Sequence, residues 1–130
     1  MKLNLHTSPI ASTSGQHLFI LVSAEQSLNV ESHYQFSNLD QAIEVTQFKA
    51  TLNETLTLIG QSTDFPISAL IGLDKTADLK PAKLAKIAQN IIKATQKKFK
   101  QISIDISALP AELHYLFALS LTQASYAYDD

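Results

Sequence analysis

A chain of 130 residues with 10 basic side chains against 12 acidic ones carries a formal charge of −2. Its pI near 6.0 argues against a dedicated nucleic-acid binder, whose domain pI usually exceeds ~9. The absence of cysteine excludes a disulfide framework, a thiolate zinc site and a cysteine nucleophile. The length fits a single domain over 1–130, large enough to take about two thirds of its surface out of water without a covalent or metal staple.

Leu3 and Leu5 alternate with Lys2, Asn4 and His6, the pattern of a half-buried first strand. Thr7 to Gln16, with Pro9 and Gly15, reads as a loop. Leu18-Phe19-Ile20-Leu21-Val22 is short and continuously apolar, as in a strand covered on both faces. It is also the longest strongly apolar run, far below the ~20 residues that span a bilayer. Met1 to His6 is too polar for a signal peptide, so a cytoplasmic location is expected. Ser23–Ser37 is polar and has no clear period. Asn38 can cap a helix carrying Leu39, Ala42, Ile43 and Phe48 on one face.

Thr55–Ile59 and Ile67–Ile71 are the next two strands, separated by a link too long for a two-residue turn. Asp78-Leu79-Lys80-Pro81 opens a helix at a proline, where the missing N–H costs least. Gln101–Ile106 alternates as a strand with one apolar face, and Ser107-Ala108-Leu109-Pro110 leads into a final helix towards Tyr126. Strands alternating with helices predict an α/β layer fold.

Chemistry-bearing groups are sparse. His6, His17, His33 and His114 share no helical turn and form no metal-binding pair, so structural or solvated roles are expected. With only Gly15, Gly60 and Gly72, no glycine-rich phosphate cradle can form, and Gly72-Leu73-Asp74-Lys75 reads as an ordinary turn. Ser12-Thr13-Ser14-Gly15 lacks the glycine pattern of a nucleophile elbow. Asp64, Asp74, Asp105 and Glu112 are scattered, and no acid/base pair can be named.

Two surface features are better organised. All ten basic residues are lysines, and Lys83, Lys86, Lys93, Lys97 and Lys100 fall within about a 100° arc of one helix. This is the solvated side of an amphipathic helix or, alternatively, a polyanion-binding strip centred on Lys86, Lys93 and Lys97. On the final helix, Leu113, Leu116, Phe117, Leu121 and Ala124 make one apolar face, while Tyr115, Leu119 and Tyr126 make a second ridge. A helix apolar on two sides is normally buried on two sides. The ridge is therefore expected to be exposed within 1–130 and covered by something else.

From Phe48 onward the order of elements carries a family resemblance. Phe48–Leu58 resembles the run into a central strand of the leucyl (cytosol) aminopeptidase N-terminal domain, and Ile67–Lys75 resembles its next strand and turn, with Asp74 in place of the family's second glycine. The helix from Leu79 through Lys98 resembles the one that follows, and Tyr126-Ala127-Tyr128-Asp129 resembles the family's closing motif. The resemblance implies a three-layer, macrodomain-like α/β fold, with a mixed central sheet and helices on both faces. It further implies a non-catalytic N-terminal domain whose C-terminal partner holds two divalent metals, zinc or manganese, and removes N-terminal residues from peptides in a hexameric enzyme. The family's Asn-Thr-Asp-Ala-Glu-Gly-Arg signature is absent from 1–130, so no catalytic or metal residue is carried over. Tyr115, Leu119 and Tyr126 would then face the catalytic domain or another subunit. Two other readings are a small-molecule module of the ADP-ribose-binding macrodomain type and a DNA-binding module.

Overall fold

The computed structural model describes residues 2–8, 17–24, 34, 36–62, 65–95 and 98–127. Five strands, β1 (Lys2–His6), β2 (His17–Val22), β3 (Thr55–Ile59), β4 (Ile67–Gly72) and β5 (Gln101–Asp105), form one sheet in the order β1-β5-β2-β4-β3. The β1, β5, β2 and β4 strands run parallel, and β3 closes the series antiparallel to β4. Among the described residues three α-helices accompany them: α1 (Leu39–Thr46), α2 (Pro81–Thr95) and α3 (His114–Ala127).

Because successive strand residues point to opposite faces, the sheet separates two cores. Phe19, Leu21, Ala69, Ile71, Ile102 and Ile104 pack against Leu84, Ile87, Ala88, Ile91 and Ile92 of α2 and Phe117, Leu121 and Ala124 of α3. On the other face Leu18, Ile20, Leu56, Leu58 and Leu70 meet Leu39 of α1, Tyr34, Phe48 and Phe65. This is the expected layered α/β fold, a mixed sheet with helices on both faces.

Local departures have physical causes. Asn38 occupies the position before α1, but its side chain makes no cap; its backbone N–H donates to Gln61 Oε1 instead. The helix stops at Thr46 because Gln47 turns left-handed, so Phe48 reaches the core from beyond the helix. Pro81 is the first residue of α2, as its position requires, and the helix is described through Thr95. The Pro110 segment forms a short 3-10 turn, Ala111–Leu113, before α3 begins. Ser103 and Asp105, which alternation assigns to the polar face of β5, are fully buried, and Tyr34 lies over that face with its hydroxyl on Asp105.

Candidate functional surface

At the end of β4 the backbone closes on itself. Gly72 donates to Glu54 O and accepts from Asn53 N–H, Asp74 N–H donates to Ala50 O, and Leu73 N–H donates to Val22 O. A Cβ built on Gly72 would lie 2.0 Å from Thr51 O and 2.5 Å from the carbonyl carbon of Ala50. The glycine is therefore needed for a backbone crossing, and the space beyond the strand is filled by chain. Asp74 has φ +58°, a left-handed conformation that aspartate tolerates and glycine prefers.

Glu54 fastens the crossing segment. Its Oε1 accepts from Lys49 N–H at 3.0 Å, Thr51 N–H at 3.2 Å and Thr51 Oγ1 at 3.0 Å. Partial burial works to raise its pKa, but these donors and the Lys49 charge outweigh it and hold the carboxyl below its ordinary range.

Among the described residues Asp74, Asp105 and Glu112 do not gather with a third ligand-type group. Asp74 and Glu112 are exposed, whereas Asp105 is buried. Asp105 accepts from the Tyr34 hydroxyl at 2.5 Å through one oxygen, and from Ser107 N–H and Oγ through the other. Sequence reading missed this pair because Tyr34 and Asp105 are 71 positions apart. The bond ties Tyr34 to a central strand. Asp64, His33, Lys97, Ser12 to Gly15 and the final Asp129 and Asp130 lie outside the described residues. Among the described residues no three His, Cys, Asp or Glu gather as a metal site, so those residues do not fit a metal centre.

The histidines are structural where they are buried. His114 Nε2 lies 2.9 Å from Leu109 O. The His17 ring stacks on Phe19 at 4.4 Å and meets Phe99 edge-on at 4.7 Å. Neither of its ring nitrogens has a hydrogen-bond partner among the described residues. Burial lowers its pKa from 6.5 to about 4, so the ring is neutral near pH 7.

On α2, Leu84, Ala88, Ile91 and Thr95 are buried and Lys86 and Lys93 exposed, as amphipathic spacing requires. Replacing Lys86, Lys93 and Lys97 with glutamine should change stability by less than about 0.5 kcal/mol. Calorimetry checks this, and a duplex-DNA titration at physiological salt should detect no submicromolar binding.

The α3 helix leaves a different surface. Phe117, Leu121 and Ala124 are buried, while Tyr115, Leu119 and Tyr126 are 76%, 40% and 79% exposed. Together with exposed Thr122 they recur at spacings of 4, 3 and 4 residues, within about a 60° arc opposite the buried face. The helix contains no lysine, arginine, aspartate or glutamate. These side chains form an uncharged stripe along the outside of the α2/α3 layer.

Residues 21–130 match the N-terminal domain of the cytosol aminopeptidase family. The whole chain is 55% identical to a probable cytosol aminopeptidase of Acinetobacter baumannii and 49% identical to one of Acinetobacter baylyi. It spans 27% of the length of each of these relatives. Among the described residues no helix is long and apolar enough to cross a membrane. A match over nearly all of the chain, on a layered α/β scaffold, places it: the chain belongs to the cytosol aminopeptidase family, as its N-terminal domain.

Proposed function

We propose that this domain is the non-catalytic, assembly-related module of a cytosolic two-metal aminopeptidase, and that its α3 stripe seats against the C-terminal catalytic domain of that enzyme. The observation that carries this reading is the uncharged outer face of α3, with Tyr115 and Tyr126 more than three-quarters exposed. Exposed contiguous apolar surface is normally reserved for a contact, and a helix facing only water normally carries charges. The relatives are nearly four times as long as this chain, which supports a large adjacent domain as the occupant. Peptide hydrolysis, the two divalent metals and the hexameric assembly then belong to the longer protein, and this domain holds the catalytic part in place.

The chain of residues 1–130 alone should release nothing from a leucine amide substrate, with or without added manganese or zinc. In the full-length enzyme, Tyr115→Lys with Tyr126→Lys should lower the thermal midpoint or dissociate the assembly, while the same pair in 1–130 should be nearly neutral. Hydrolysis by 1–130, or a full-length double variant indistinguishable from wild type, would refute the proposal.

A further inference from the structure

A second uncovered surface lies at the opposite side of the fold from β1, along β3. Only β4 pairs with this strand, so its outer edge is open among the described residues. Gly72 N–H donates to Glu54 O at one end of the β3–β4 ladder, and Gly60 N–H donates to Pro66 O at the other. Antiparallel bonding alternates along a strand, so Leu56 and Leu58 spend their backbone groups on β4. Thr55, Thr57 and Ile59 direct theirs outward.

Edges of this kind are usually guarded by a charge, a proline, a bulge or a cover. Thr-Leu-Thr-Leu-Ile contains no charge and no proline, and its register with β4 runs unbroken. Thr55, Thr57 and Ile59 also expose their side chains, Ile59 by 74%. The open stretch ends just past Ile59, where Ser37 N–H occupies Gln61 O. It is five residues long.

We infer that this edge pairs with itself: β3 of one copy lies antiparallel to β3 of a second, about a twofold axis at Thr57, joining two five-stranded sheets into one. The argument for a second copy is self-complementarity. An axis at Thr57 sets Thr57 against Thr57, Thr55 against Ile59 and Leu56 against Leu58. The outward-directed residues are the ones this register must hydrogen-bond. Leucine then meets leucine on the α1 face, and Thr and Ile adjoin on the open face, pairings that favour a sheet. No strand residue brings a charge against its own copy, the usual obstacle to a twofold contact. This surface is independent of α3, so either proposal can fail alone.

The cysteine-free chain makes the test direct. Sedimentation of residues 1–130 over a concentration series should show a reversible monomer–dimer equilibrium. Thr57→Cys should oxidise to a disulfide-linked dimer, since facing strand residues lie within bridging distance. Thr57→Pro removes only an outward N–H, which an edge strand tolerates, so it should give a folded monomer. Ile59→Lys should do the same and serves if the proline variant does not fold. Tyr126→Lys should leave the dimer intact. A wild-type chain that is monomeric at every concentration, or a dimer that survives both Thr57→Pro and Ile59→Lys, would overturn the inference. A dimer abolished by Tyr126→Lys would overturn it too and move the contact to α3.

Discussion

Gly72→Ala should be among the most damaging single-methyl additions in this domain. The added carbon meets backbone, Thr51 O at 2.0 Å and Ala50 O at 2.7 Å, and backbone cannot swing aside as a side-chain tip can. Relief requires the 50–54 segment to lift, which breaks the bonds between Asn53 and Gly72, Gly72 and Glu54, and Asp74 and Ala50. Overpacking of a well-filled site usually costs about 1–3 kcal/mol, and the lost backbone bonds add to that, so ~3 kcal/mol or more is expected. For a domain of this size the midpoint should fall by roughly 10 °C. Asp74→Gly, by contrast, relieves a left-handed non-glycine residue at φ +58° and should be neutral or slightly stabilising. Thermal denaturation of both variants checks the pair.

His17 should make the fold acid-sensitive. In the unfolded chain its imidazole takes a proton near pH 6.5, but in the fold only near pH 4. Between these values the unfolded state binds more protons, so stability falls as pH drops across the window. The ring is only half-buried, and solvent screening reduces the expected loss to about 1 kcal/mol. His17→Leu should abolish this part of the pH dependence. It should cost little at pH 7, because no hydrogen-bond partner among the described residues is left stranded. Urea midpoints at pH 7 and 4.5 for both proteins measure the effect; equal pH dependence in the two would refute it. Glu54 acts lower on the scale: its depressed carboxyl supports the 49–54 segment above the ordinary carboxylate range, and that support disappears as pH falls through its folded pKa.

Much of this architecture was legible in the residue pattern because its signals are local. The apolar run at Leu18–Val22 is a doubly buried strand, Pro81 begins its helix, and the second ridge of α3 is exposed. What escaped depends on partners distant in sequence. Phe19 beside His17 is visible at i+2, but Phe99 is not, so the buried imidazole could not be told from a solvated one. Ser103 and Asp105 read as a wet face, yet both are buried, and Tyr34, far away in sequence, lies against Asp105. The β3 edge escaped for a related reason: a strand's position within a sheet leaves no mark on its own alternation.

The sheet order also sets a timetable. Among the described residues β1 bonds only to β5, a register that pairs Lys2 with Gln101. During synthesis its apolar residues therefore wait until Gln101 and the rest of β5 have been translated. Meanwhile β2 can join β4, leaving its other side unpaired until β5 arrives between β2 and β1. Non-local pairing of this kind is slow and exposes strand edges on the way. A nascent chain halted before Gln101 should therefore be open to misassociation, with its N-terminal segment unprotected against proteases.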